Sequence, residues 1–300
     1  MLPVFPEFKE LTLEDRELIR PRLRAYNPQT SELTFVNLYI WRRYYQFSWT
    51  LYRDWLIIHA HKEHDQFVLP PIGPESRGEV AHKVLEWLRD DQGVENPVIA
   101  RAGRRLVDEL QDDPTLRVML TRDHFDYVYL SEDLSTLAGR KYSKKRNHIS
   151  QFLRAYEYTY VPLSEELVPG CLALAEVWCE QRLCEEDISL THELCGIRDA
   201  LHNLKTLELD GGTIQIDGKI QAFSLGEVLN DSTAVVHIEK ANPEFHGIYP
   251  MMTREFSKNR WLNSVKYINR EQDVGELGLR RAKESYYPDH LVEKFEIRLA

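Results

Sequence analysis

The sequence predicts an α/β (α+β) protein of two domains, each built on a mixed central sheet. Its 300 residues correspond to about two domains at a typical 100–200 residues each. Short apolar runs alternate with segments of helical period, the pattern of strands layered against helices. The second half reads α-α-β-β-β-α-β-α-β, with Asp217-Gly218 between two apolar runs. Asp-Gly in that setting is a strong hairpin signal, because both turn positions need φ > 0. A hydrophobic fraction of 43% with only 14 Gly and 14 Pro excludes collagen and low-complexity disorder.

The elements follow in order. Thr12 precedes Leu13-Glu14-Asp15, which caps a helix running to about Arg24 with acids in its first turn. After the polar break 27–31 comes an aromatic-rich stretch, FVNLYIWRRYYQFSW, most of it expected in a core. Strand-like runs at Asp54 to His59 and Gln66 to Leu69 end at the proline cluster 70–74. Helices near 78–88 and 103–110 alternate with apolar runs at 98–100, 116–120 and 127–130. GRKYSKKRNHISQFLRAY reads as a long helix, and the domain boundary falls near residue 160, giving domains 1–160 and 161–300. Helices at 165–183 and 191–204 precede the hairpin GGTIQI-DG-KIQAFSLGE. A strand at 233–239, a helix YPMMTREFSKNRW, a strand at 265–269, a helix LRRAKESYY and a closing strand at 291–299 complete the chain.

Charge narrows the function classes. Thirty-eight basic and 48 acidic residues give −10, which argues against a non-specific nucleic-acid coat and against DNA as a partner. An anionic ligand must be met by a local basic patch. The sequence holds no run of about 18 apolar residues and no signal-like start, so a cytoplasmic protein without a membrane-spanning segment is expected. Cys171, Cys179, Cys184 and Cys195 form no C-x-x-C pair and are expected as buried reduced thiols. Hydrolase, P-loop, dinucleotide-binding and metalloprotease motifs are missing, and no metal site is expected.

The strongest basic patch is the helix after Gly139, where 140–154 hold six Lys or Arg and no acid. On a helix, Lys141, Lys144, Lys145 and His148 share one stripe, with Tyr142, Ile149, Leu153 and Tyr156 on an apolar one beside it. With Asn147 they form a candidate phosphate site. A second cluster, Asn269-Arg270-Glu271-Gln272-Asp273, follows a strand and precedes a Gly-marked helix, where backbone N–H groups favour anions. That helix offers Arg280, Lys283 and Tyr287 on one face, with Leu279, Ala282 and Tyr286 on a core face. His237 and Glu239, two apart, are expected on one side of their strand, with Glu239 a candidate general base and Glu227 and Glu271 further carboxylates. His59, His61 and His64 read as a solvated turn rather than a metal site.

FVNLYIW at 35–41, GRKYSKKRNHISQFLRAY at 139–156 and INREQDVGELGLRRAKESYYP at 268–288 resemble a bacterial family. It is related to the C-terminal domain of phosphatidylglycerol lysyltransferases and more distantly to Fem-type aminoacyltransferases. The second-half element order is also that of GCN5-related (GNAT-like) acyltransferases. The resemblance implies tandem GNAT-like domains with a cleft between them, and transfer of an amino acid from an aminoacyl-tRNA-like donor to an amine or hydroxyl. Gly278, Leu279 and Lys283 match a Fem-type Gly-Leu-x-x-x-Lys pattern, making Lys283 a candidate phosphate or carboxylate contact. In this scheme Glu239, Glu271 and Arg270 are catalytic, with Arg270 stabilising the oxyanion. Lys141, Lys144, Lys145, Asn147, Asn269, Asp273, Arg280, Lys283 and Tyr287 bind substrate. The phosphate-bearing donor is tRNA, a CoA thioester or a lipid head group. The turn after the third strand, KANPEFHGIYPMM, lacks the glycine-rich signature of the acetyl-CoA branch, and Pro250 removes a donor. Two alternatives stand beside this reading: a non-catalytic ligand- or RNA-binding module on a degenerate scaffold, and a CoA-dependent N-acetyltransferase.

Overall fold

A computed structural model describes residues 2–62, 65–182 and 187–300. Leu183, His64 and Cys184 lie outside the described residues. The chain forms two compact units. Unit 1 comprises 1–126, 272–275 and 292–300; unit 2 comprises 127–271 and 276–291. Unlike halves divided near residue 160, these units are discontinuous: the basic helix belongs to unit 2 and the closing strand to unit 1.

The strands in chain order are β1 (Lys9–Glu10), β2 (Phe47–Tyr52), β3 (Trp55–Lys62), β4 (Asp65–Val68), β5 (Val98–Ala102), β6 (Leu116–Leu120) and β7 (Asp126–Leu130). They continue with β8 (Thr159–Pro162), β9 (Asp210–Ile216), β10 (Lys219–Asn230), β11 (Thr233–Ala241), β12 (Tyr267–Asn269), β13 (His290–Val292) and β14 (Phe295–Leu299). One mixed sheet has the order β1-β2-β3-β4-β5-β14-β6 and the other β13-β7-β12-β11-β10-β9-β8.

In unit 1 the aromatic stretch is a helix, Phe35–Tyr45, followed directly by β2. Thr34 caps it, its hydroxyl accepting the Asn37 N–H at 3.0 Å. Phe35, Leu38 and Tyr39 are buried, as the aromatic content predicts. The helix Gly78–Asp90 joins the parallel strands β4 and β5 and buries Val80, Val84, Leu85 and Leu88, an i, i+4 stripe that fills one face of the sheet. His59 departs from the expected solvated turn. It sits buried on β3, edge-on to Phe8 and Trp87, and burial pushes its pKa down to about 4.

The closing segment also departs from expectation. It is two strands in two sheets, with β13 beside β7 and β14 inserted between β5 and β6. The residue between them explains the change of sheet. Lys294 is fully buried, and its ammonium donates to Asp126 Oδ1 at 2.6 Å and to a Glu32 carboxylate oxygen at 2.7 Å. Ser31 and Gln272 oxygens stand at 3.4 and 3.3 Å. Asp126 in turn accepts the Ser31 N–H and hydroxyl at 2.8 and 2.9 Å. A buried ammonium demands such partners, so strand-like sequence alone cannot continue through it.

In unit 2, Asp217 and Gly218 both take positive φ and close the expected β9–β10 hairpin. The register between β10 and β11 slips at Gly226: Leu225 faces Ile238 and Gly226 faces Val236, leaving His237 as the extra residue of a bulge. A Cβ on Gly226 would meet the Val235 carbonyl oxygen at 2.4 Å, so the bulge requires glycine. The basic helix is Ser143–Ala155, entered by a short 3-10 turn, Arg140–Tyr142. Its apolar side is Tyr142, Ile149 and Phe152, while Leu153, expected there, is exposed. Cys171 is a buried free thiol as expected and Cys195 is free but only half-buried, whereas Cys179 is disulfide-bonded, against the expectation of four reduced thiols.

Replacing Lys294 by Met would take the ammonium away from buried Asp126 and Glu32, leaving Arg101, 3.4 Å from Glu32, to offset their charge. A loss of about 3–5 kcal/mol is expected. Urea unfolding should show the drop as a lower midpoint; a change under about 1 kcal/mol would mean that these carboxylates find other partners.

Candidate functional site

The site begins where two parallel strands part. β11 pairs with β12 only through Thr233–Tyr267, Ala234–Ile268 and Val235–Asn269, yet β11 runs on to Ala241. The chain leaving β12 stays with β7: Arg270 N–H bonds the Tyr127 carbonyl at 2.9 Å and Tyr127 N–H bonds that of Glu271 at 3.2 Å. Asn269 is buried, and its side-chain oxygen accepts the Glu271 N–H at 2.7 Å, holding Glu271 at a φ of 57°. Consecutive residues beyond β12 thereby present a cation and a carboxylate beside the unpaired end of β11.

Glu239 lies on that end, directly opposite Ser224 of β10. Its carboxylate accepts from Ser224 Oγ at 3.2 Å, Thr253 Oγ1 at 3.0 Å and Arg270 Nη2 at 3.1 Å. Arg270 is 16% exposed, and its guanidinium carbon stands 5.0 Å from the Tyr286 ring centre. Burial alone would lower its pKa; the Glu239 charge and the Tyr286 and Tyr129 phenols hold it above its usual value. Lys283 anchors the same turn from below, its ammonium donating to the carbonyl oxygens of Arg270 and Glu271.

Lys145 meets this cluster from the Ser143–Ala155 helix. Its Nζ lies 3.8 Å from the centre of the Tyr286 ring, a cation–π contact. Burial, with the Arg270 charge added, lowers its pKa to about 8, and Glu239 offsets only part of that. Lys145 and Arg270 thus approach the same Tyr286 ring, and Lys283 holds the turn that carries Arg270, all within unit 2.

His237 does not share partners with Glu239. The bulge breaks the simple alternation, and the imidazole bridges Glu271 Oε1 at 2.8 Å and Glu227 Oε1 at 3.1 Å. Burial would lower its pKa, but hydrogen bonds donated to the Glu227 and Glu271 carboxylates, with their charges, outweigh it and raise the value to about 9. At neutral pH this is an imidazolium held by β10 and by the turn after β12.

The remaining candidates fall in different places. Lys141 pairs with Asp133 at 3.0 Å and lies 5.9 Å from the Tyr287 ring centre. Tyr287 is exposed and edge-on to Tyr142. Lys144 and Asn147 are exposed on the basic helix. Arg280 is half-buried on the helix Leu277–Glu284. Asp273 is buried in unit 1, accepting the Gly275 N–H at 2.9 Å and facing Arg122 at 3.3 Å. Sequence reasoning missed Ser224, Thr253, Tyr129 and Tyr286 as site residues. The first two are polar residues inside the apolar runs AFSLG and MMTREF, a signal that was available.

Among the described residues no His, Cys, Asp and Glu group could hold a metal, and no helix is long and apolar enough to cross a membrane.

The family model described as phosphatidylglycerol lysyltransferase, C-terminal, matches residues 23–298. A conserved protein of unknown function from Bacteroides thetaiotaomicron is 32% identical in sequence over the whole of both chains, with a TM-score of 0.89. The C-terminal domain of an Agrobacterium fabrum protein assigned as a lysylphosphatidylglycerol synthetase has the same fold (TM-score 0.67, 12% identity, 95% of this chain and 91% of that one). So does FemX (TM-score 0.55, 10% identity, 97% and 96%). An uncharacterized Mycoplasmoides gallisepticum protein is 22% identical over 180 residues, 58% of this chain; the chain spans little more than half, 56%, of that curated relative.

The His237 bridge predicts a pH dependence. Its folded pKa of about 9 lies above the unfolded value near 6.5, so its stabilisation is full below about 6.5 and is lost as pH rises through 9. The difference in urea midpoint between the native protein and His237→Gln should be largest near pH 6 and shrink steadily toward pH 9.5. A constant difference would show that the ring is neutral throughout.

Proposed function

Because the chain belongs to the phosphatidylglycerol lysyltransferase C-terminal family, we propose that it is an acyltransferase, moving an aminoacyl group from an aminoacyl-tRNA-like ester to an amine or hydroxyl acceptor. The observation that carries this is the convergence of Lys145 and Arg270 on one aromatic ring beside the parted ends of β11 and β12. Attack of the acceptor on an ester carbonyl creates an oxyanion. Arg270 and Lys145 are fixed donors for that charge in a half-buried setting, where such stabilisation is strongest. Exposed Lys144 and Asn147, with Lys141 and Arg280, suit the phosphates of a large donor that reaches the site from outside.

The roles within the catalytic set differ accordingly. Arg270 touches the reacting group. Glu239, occupied by Ser224, Thr253 and Arg270, positions the guanidinium rather than taking a proton. Glu271 is committed to His237, and Lys283 to two backbone carbonyls, so both act through the turn that carries Arg270. Asn269 and Asp273 shape backbone.

A CoA donor is the second reading and is less well supported. The open side of Gly247, in the turn where that cofactor's pyrophosphate would sit, faces the His148 carbonyl oxygen, 2.4 Å from a Cβ position. Pro250 follows without an N–H.

The test uses the purified chain with tRNA charged by a pool of labelled amino acids, offered phosphatidylglycerol vesicles or amine-bearing peptides. Label should pass to one acceptor class, and Arg270→Gln should lower kcat roughly 10²–10³-fold with little change in tRNA binding. Label retained on tRNA with every acceptor, alongside acetyl-CoA turnover, would replace the aminoacyl reading with the CoA one. Tight tRNA binding without any transfer would make the protein a binding module.

A further inference from the structure

We propose that Lys145 is a self-acylation site: a small activated acyl group entering the unit 2 cluster is transferred to its Nζ, and the amide formed there shuts the site. The inference goes beyond the acyltransferase reading and shares with it only the attack of a nucleophile on an activated acyl carbon; the reactivity of the amine stands without that reading.

The geometry isolates this amine. Among the described residues Lys145 has no carboxylate or carbonyl within hydrogen-bonding distance, and its only close partner is the face of Tyr286. The nearest acid, Glu239, already accepts from Ser224, Thr253 and Arg270. The same ring lies 5.0 Å from the Arg270 guanidinium, which keeps its charge. Two cations thus lie against one aromatic ring while the Glu239 carboxylate serves one of them. The cheaper arrangement has one of the pair uncharged, and a lysine can lose its proton where an arginine cannot. The depressed pKa of about 8 agrees with this. Lys145 remains half-buried rather than sealed, so a small electrophile can reach it.

The step balances without a further reactant. The free amine's lone pair attacks the acyl carbonyl carbon of a thioester or acyl phosphate. The C–S or C–O bond breaks, the thiolate or phosphate leaves, and the proton released from nitrogen passes to solvent. An amide does not return its acyl group to an amine or hydroxyl acceptor at a useful rate. The product is therefore an end state, in which the site has lost one of its two cations and carries an acyl chain over Tyr286.

Peptide-resolved mass spectrometry of the full chain treated with acetyl phosphate, and separately with acetyl-CoA, tests this. At pH 7.5 an amine of pKa 8 is about one-quarter unprotonated, against roughly 10⁻³ for an ordinary lysine. Allowing for partial burial, Lys145 should acetylate at least about tenfold faster than exposed Lys144 on the same peptide. The advantage should shrink toward pH 10.5 and vanish in 8 M urea, and Lys145→Arg should remove the fast phase. Equal rates at Lys144 and Lys145 at pH 7.5, or a ratio indifferent to pH, would overturn the proposal. Because acetyl phosphate needs no recognition, fast labelling by it with no transfer from charged tRNA would leave this inference standing while the aminoacyl reading failed.

Discussion

The buried ammonium of Lys294 is the interaction on which the architecture of unit 1 depends. That unit is assembled from three stretches, the first separated from the other two by well over a hundred residues, and Lys294 touches each of them: Ser31 and Glu32 in the first, Asp126 at its end, Gln272 in the second, with the lysine itself in the third. A charge without water must be matched completely, and only a meeting of all three stretches matches this one. The segment 276–291, which carries Lys283 and Tyr286, lies between two stretches held by the same ammonium.

Unit 2 uses a different economy of charge. His237 keeps a proton between two carboxylates and ties β10 to the turn after β12. Glu239 is matched to Arg270. Lys145 is left over, close to a ring that already serves one cation. In a chain of net charge −10, this cluster carries a small local surplus of positive charge. An anion, a developing oxyanion or an electrophile can each relieve it, which is why one arrangement supports both binding and reactivity.

Much of the fold was legible where local chemistry decides. Asp217-Gly218 fixed its hairpin, Thr12 opened its helical segment with a capping box, and the run of lysines after Gly139 marked the helix that reaches Tyr286. The signals failed where structure is set by contacts distant in sequence. Nothing near His237 announces that Gly226, opposite, permits a bulge, so alternation put His237 and Glu239 together when they serve different partners. The segment 291–299 has the pattern of one strand, and only the burial of Lys294 splits it between sheets. Helical spacing put Leu279, Ala282 and Tyr286 on one core face, but Leu279 and Ala282 are exposed and only Tyr286, beyond the helix end at Glu284, is buried. Its role under two cations depended on a helix more than 130 residues earlier.

The placement of β14 between β5 and β6 bears on how the chain is made. Synthesis delivers β5 and β6 early, but they are not neighbours in the finished sheet; a space for one strand separates them until residues 295–299 have emerged. Unit 2 can close its own sheet as soon as β13 leaves the ribosome, whereas the edges of β5 and β6 must wait for β14 through the synthesis of the 174 residues that separate β6 from it. At about 5–20 residues per second that delay lasts roughly ten seconds or more, long enough for exposed edges to need protection by chaperones.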